Sequence, residues 1–161
     1  MKHTLAVLVE NHPGVLSRVS GLFSRRGYNI ESLVVSETED SSVSRMTIVV
    51  SGDKAIIEQV TKQLNKLIDV IKVTDLTNEE AVNRQLLLVR VAADNTTRGE
   101  IVQLMDIFRA RVVDIGRRSM VIEATGDEEK IQAIIKSLQP FGIQELAKTG
   151  TLAMLRGSKE K

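Results

Sequence analysis

The chain has 161 residues, enough for one ordinary domain or two small ones. Hydrophobic residues make up 42 % but aromatics only 2 %, with no Trp, so a core has to be built from Val, Ile and Leu. Lys+Arg number 22 against Asp+Glu 21, a balance that attracts neither nucleic acid nor membrane, and zero Cys excludes disulfides, a thiolate zinc site and a Cys nucleophile. The apolar run Leu5-Ala6-Val7-Leu8-Val9 is too short for a signal peptide and is followed at once by Glu10. No apolar run approaches the roughly 20 residues of a membrane span, so a cytoplasmic location is expected.

In chain order, residues 5–9 read as a buried strand broken at Glu10-Asn11-His12-Pro13-Gly14. Val15, Leu16, Val19, Leu22 and Phe23 then fall at helical spacing, with Arg25 and Arg26 in the last turn and Gly27 as a stop. Residues 28–37 and 44–51 read as strands, separated by a polar turn at 38–42. Ala55, Ile56, Val60, Leu64, Leu67 and Ile68 mark a second helix, and residues 70–76 a closing strand. Residues 86–161 repeat that order: strand 86–91, helix with Ile101, Leu104, Met105 and Phe108, strands 111–115 and 120–124, helix with Ile131, Ile134, Ile135 and Leu138, and strand 142–147. A tail ends in Lys159-Glu160-Lys161.

The fold class is therefore α+β, with two consecutive ferredoxin-like βαββαβ domains at 4–77 and 86–161 and a polar linker at 78–85. Helices would cover one face of each sheet. In the first, Ala6, Leu8, Val49 and Leu33 or Val34 would lie on the other face, apolar enough to suggest self-association.

The two strand-to-helix turns differ. In the second half, Thr97 and Glu100 have the spacing of a capping box, which occupies the helix's free N–H groups. In the first half no such pair exists, Pro13 suits the first helical position, and Gly14 permits close backbone approach. An open helix N-terminus favours an anion. One Gly and no Lys or Arg between Asn11 and Ser17 make neither a P-loop nor a dinucleotide fingerprint. A zwitterionic amino acid fits better: N–H groups of Gly14 to Leu16 for the carboxylate, the Asn11 oxygen for the ammonium, and Val15, Leu16 and Ile30 as aliphatic walls. Asn29 could reach the same cleft across a subunit boundary. The same residues also fit an N-cap and a tight turn with no ligand, and spacing alone does not separate the two readings.

Other functions of this architecture find little support. Neither His3 nor His12 has a triad partner at recognisable spacing, so no catalytic residue is assigned. An RNA-recognition fold stacks bases on strand aromatics, and strands 44–51 and 120–124 have none. A metal carrier of this fold would need a CxxC pair, and no metal ligand is assigned.

The run Leu5-Ala6-Val7-Leu8-Val9-Glu10-Asn11, then Pro13-Gly14-Val15-Leu16-Ser17-Arg18-Val19, resembles the opening of an ACT domain. Residues 21–33 (GLFSRRGYNIESL), with Ser44-Arg45-Met46-Thr47-Ile48, narrow the resemblance to the small, regulatory subunits of acetolactate (acetohydroxyacid) synthase. Residues 26–33 are the most specific part, and the second half matches that family's longer bacterial form. The resemblance implies a homodimer with no active site and no cofactor of its own. Its partner would be a catalytic subunit that uses thiamine diphosphate, Mg²⁺ and FAD to condense two pyruvates, or pyruvate with 2-oxobutanoate. The small subunit would raise that activity and confer feedback inhibition by valine, or by leucine or isoleucine, in branched-chain amino acid biosynthesis. The effector site implied lies between two ACT domains: Asn11, Gly14, Val15 and Leu16 from one chain, Asn29 and Ile30 from the other. His12 falls where that family's turn varies and takes no ligand role. The alternative is an ACT-domain sensor serving a different enzyme or a transcription factor, against which residues 28–33 weigh.

Overall fold

The computed structural model describes residues 1–157, and the charged tail Lys159-Glu160-Lys161 lies outside the described residues. Two compact units divide the chain: Met1–Val82 together with the segment from Thr151, and Asn83–Gly150.

The first unit runs β1 (Lys2–Glu10), α1 (Val15–Arg26), β2 (Asn29–Glu37), β3 (Val43–Ser51), α2 (Lys54–Asn65) and β4 (Val70–Asp75). Its antiparallel sheet has the order β2-β3-β1-β4, the ferredoxin-like arrangement with the first strand inside. Alternation puts Leu5, Val7 and Val9 of β1 and Met46, Ile48 and Val50 of β3 on one face. Against them pack Val15, Val19, Leu22 and Phe23 of α1 and Ile57, Val60 and Leu64 of α2, at helical spacing. Gly27 ends α1 as expected, in the left-handed conformation at φ 69°, and the Tyr28 N–H donates to the Phe23 carbonyl at 3.0 Å. Ile48 is fully buried at the centre of this core. Ile48→Ala leaves a cavity there, and chemical denaturation is expected to show a loss of about 2–5 kcal/mol.

The second unit repeats the order with β5 (Ala81–Ala92), α3 (Arg98–Ile107), β6 (Arg111–Ile115), β7 (Ser119–Gly126), α4 (Glu128–Leu138) and β8 (Ile143–Lys148), in a sheet ordered β6-β7-β5-β8. Strand β5 starts at Ala81, inside the stretch expected to be linker. Asn83, Arg84 and Gln85 hide that start from a hydrophobicity pattern. Gln85 is nonetheless buried, lies opposite Gly126 on β7, and bonds the Glu128 carboxylate.

A further strand, β9 (Leu152–Leu155), was not expected. It pairs with β5 as a fifth strand of the second sheet, and it packs with the first unit. Ala153 and Leu155 contact Ala6 and Leu76, the Arg45 guanidinium donates to the Ala153 carbonyl at 2.6 Å, and the Thr151 N–H donates to Ser32 Oγ at 3.0 Å. The sheet face read as open to a partner is thus partly covered by the chain's own segment. Ala6, Thr47 and Val49 on it are buried. Beside β9 a groove of about 700 Å³ remains, lined by Leu8, Arg45, Lys72 and Met154 among others. Among the described residues no helix is long and apolar enough to cross a membrane.

Candidate functional site

The β1–α1 turn is held from several sides. The Asn11 N–H donates to the Ser42 carbonyl at 2.8 Å, and its side-chain amide donates to the Ser41 carbonyl at 2.9 Å and to Glu37 Oε1 at 3.3 Å. Asn11 therefore ties the turn to the β2–β3 hairpin rather than capping α1. That hairpin is itself fixed by Asp40, whose carboxylate accepts from the Ser42 hydroxyl at 2.6 Å and the Ser42 N–H at 2.9 Å. These bonds hold its pKa below the usual carboxylate value.

Gly14 precedes α1 at φ 89°, ψ −12°, a left-handed conformation that a side chain rarely adopts. No side chain caps the helix, and its first turn holds no acid. The open N-terminus read from the sequence is present. Arg18, one turn on, folds back over it: a β-carbon at Gly14 would sit 2.9 Å from Arg18 Nη1. The guanidinium is anchored through Nε to Asp69 Oδ2 at 2.6 Å, and the other oxygen of that buried carboxylate lies 2.8 Å from His12 Nε2. The hydrogen bond from Arg18 is the main reason the Asp69 pKa is lowered, against the opposing effect of burial and with help from the charges of Arg18 and His12. His12 Nε2 is also 3.3 Å from Glu10 Oε2. The turn thus carries a cationic group, the Arg18 guanidinium, that a search confined to residues 11–17 missed. The i to i+4 relation between Gly14 and Arg18 was the available signal, since it puts both on one helix face.

The structure distributes the six expected site residues unevenly. Gly14 and the half-exposed Leu16 flank the open helix end, with Asn11 beside them. Val15 is 3 % exposed and packs in the core, so its side chain cannot form a wall and only its backbone faces the turn. Asn29 is exposed and donates to Glu31 Oε1 at 3.0 Å, while Ile30 is half-buried against the core. These two lie at the other end of the sheet. Asn29 pairs with Ser51, as does Lys2 at the start of β1, whereas Glu37 pairs with Ser44 beside the end of β1. At about 3.3 Å per residue, nine-residue β2 separates Asn29 from Glu37 by about 26 Å. Within one chain, the two groups of residues cannot touch one ligand.

The equivalent turn in the second unit is closed, but not by Thr97 and Glu100. Thr97 already has helical dihedrals and makes no side-chain cap. Asp94 acts instead: its carboxylate accepts from the N–H groups of Thr96 at 2.9 Å and Thr97 at 3.0 Å, while Thr97 Oγ1 accepts from the Asp94 N–H at 3.0 Å. That is a capping box set three residues earlier. The hydrogen bond from the Thr96 hydroxyl and those backbone bonds lower the Asp94 pKa. A carboxylate with a depressed folded pKa stabilises the fold above its unfolded pKa and loses that contribution as pH falls through the folded value. Asp94→Ala is therefore expected to lower Tm at neutral pH. The gap to wild type should close in acid below the normal carboxylate range, as followed by circular dichroism.

Comparison with known proteins supplies the family. A family model described as "AHAS small subunit-like ACT domain" matches residues 5–72, and one described as "Small subunit of acetolactate synthase" matches residues 84–157. An Archaeoglobus fulgidus protein named "Probable acetolactate synthase small subunit" is 61 % identical over 160 residues, covering 99 % of this chain and 100 % of that one. The acetolactate synthase small subunit of Mycolicibacterium smegmatis is 54 % identical over 157 residues, covering 98 % and 92 %. The crystal structure of the acetolactate synthase small subunit from Thermotoga maritima superposes with a TM-score of 0.90 at 42 % identity, covering 97 % of this chain and 98 % of that one. With an ACT domain in its first unit and the family's own C-terminal domain in its second, the chain belongs to the acetolactate synthase small subunits.

Proposed function

We propose that the chain is the regulatory subunit of an acetolactate synthase and binds a branched-chain amino acid, valine before leucine or isoleucine, at a site shared by two ACT domains. The observation that carries the two-chain site is the strand register. The turn with Asn11, Gly14 and Leu16 lies at the Glu37 end of β2, and Asn29 and Ile30 lie at the opposite end. Strand β2 is an edge of the sheet. Two copies joined by antiparallel pairing of their β2 edges bring the partner's Asn29 beside this chain's Glu37, and hence beside Asn11 and Gly14. The effector's carboxylate would meet the open N–H groups of α1 and the Arg18 guanidinium, and its ammonium the Asn11 region and the partner's Asn29. Leu16 and the partner's Ile30 supply an apolar wall for an aliphatic side chain.

The relatives' designation as small subunits supports a larger catalytic partner, which would carry the thiamine diphosphate chemistry while this chain contributes no catalytic group. An effector inhibits only if it binds one state of the complex better than another. A site built from two chains provides that difference, because its contacts depend on how the ACT domains pair. The coupling is reciprocal, so conditions that favour the active complex weaken effector binding by the same factor. Calorimetry of the isolated protein with valine, leucine and isoleucine tests the reading. Saturable binding of valine is expected, and no heat with any of the three would overturn it.

A further inference from the structure

The groups around the β1–α1 turn also form a second constellation, made of side chains that the effector reading does not use as ligands. Glu10 ends β1, His12 stands on the turn, and Asp69 precedes β4, and each offers one ligand-type atom to a cluster no wider than 4.8 Å. His12 Nε2 lies 2.8 Å from Asp69 Oδ1 and 3.3 Å from Glu10 Oε2. Two atoms bound to one cation at about 2.1 Å stand about 3.0 Å apart at an octahedral angle and about 3.4 Å apart at a tetrahedral one. Both separations are those of neighbouring ligands, and the third pair, Glu10 and Asp69, lies within 4.8 Å. We infer that Glu10, His12 and Asp69 form a binding site for a divalent first-row transition cation such as Zn²⁺ or Co²⁺.

The donor set selects that class. One imidazole with two carboxylates suits Zn²⁺, Co²⁺ or Mn²⁺, whereas Mg²⁺ and Ca²⁺ prefer oxygen alone. The supports are already in place. Asp69 is 4 % exposed, and Arg18 holds its second oxygen at 2.6 Å, leaving Oδ1 turned towards His12. The Glu10 N–H donates to the Asp69 carbonyl at 2.9 Å, so the two carboxylates are tied through the backbone. Hydrogen-bonded partners of this kind orient ligands in metal sites. His12 and Glu10 keep 43 % and 55 % of their side-chain surface, which leaves coordination positions open to water or an exogenous ligand. Arg18 cancels one of the two negative charges, and this places the affinity below that of a structural zinc site. The other histidine, His3, is buried and faces the Gly52 carbonyl at 3.1 Å, so it does not compete. None of this depends on the effector being an amino acid.

The test is a titration of the full-length, chelator-treated protein with Co²⁺, read by visible absorption and repeated with Zn²⁺ as competitor. Saturation at one Co²⁺ per chain is expected, with ligand-field bands that Zn²⁺ abolishes. His12→Gln and Glu10→Gln, both at exposed side chains, should each weaken Co²⁺ binding at least ~10-fold. Zn²⁺ should raise the Tm of wild type but not of His12→Gln. Equal Co²⁺ binding by wild type and both variants overturns the site, and so does a wild-type titration that never saturates. The latter would leave His12, Glu10 and Asp69 as an ion-pair cluster only.

Discussion

If the proposed site is right, Gly14→Asp is expected to abolish effector binding, and feedback with it, while the chain stays folded and still engages the proposed catalytic partner. The expected size follows from where the new carboxylate would stand. It would occupy the N-terminus of α1, where no side chain caps the helix. Its β-carbon would start 2.9 Å from the Arg18 guanidinium, which folds over that helix end. The introduced group therefore takes the Arg18 donors and N–H groups that the proposed site offers to the ligand. It also repels a second carboxylate: two such charges about 4 Å apart cost about 4 kcal/mol at the effective dielectric of a protein surface, before Arg18 offsets part of it. A loss of at least ~100-fold in affinity is expected by calorimetry. The folding cost is smaller. Gly14 has φ 89°, and a non-glycine residue there costs about 1–2 kcal/mol, with Asp among the better tolerated. Normal valine inhibition of a complex carrying this variant would remove the turn from the site.

Truncation after Gly150 should be the most damaging change outside the two helix-packed cores. It removes β9 from the face of the first sheet and exposes Ala6 and Leu76. It also strips the Arg45 guanidinium of its carbonyl acceptor, Ser32 Oγ of the Thr151 N–H and the Glu80 carbonyl of the Arg156 N–H. Three hydrogen bonds at about 1 kcal/mol each, with apolar burial of similar total size, give a loss of about 6 kcal/mol. Thermal unfolding should show a large fall in Tm, and dye binding should report the newly exposed apolar face. An unchanged Tm would mean that the segment merely rests on the sheet.

The repeat of two βαββαβ units was legible because each element announces its period. Leu5, Val7 and Val9 alternate, while Val15, Val19, Leu22 and Phe23 recur at helical spacing, and both patterns end in the cores where they were expected. The features that escaped are those where tertiary context outweighs pattern. Strand β9 is four residues long and owes its place to its pairing with β5 and to Ala6, Leu76 and Arg45, all remote in sequence. The start of β5 is polar and pairs regardless. At the second turn, closure was foreseen, but the pair was set three residues late because Thr97-x-x-Glu100 and Asp94-x-x-Thr97 are both cap spacings. Only the helical dihedrals of Thr97 separate them. At the first turn Gly14 was readable as an open helix end. The Arg18–Asp69–His12 chain was not, since Asp69 lies 51 residues from Arg18. Val15 was misread as a wall because a residue at a helix start can face the ligand or the core, and here it faces the core.

The claim that the effector site belongs to two chains is tested most directly by mixing variants. Gly14→Asp disables the turn, and Asn29→Ala disables the strand end contributed by the partner, so neither homodimer should bind valine. In a mixed dimer both substitutions fall in one of the two symmetry-related sites, and the other site is assembled from an intact turn and an intact Asn29. Valine calorimetry after denaturation and joint refolding should therefore recover binding at one site per mixed dimer, with near wild-type affinity. A mixture as inert as its components would contradict the account and confine the site to a single chain.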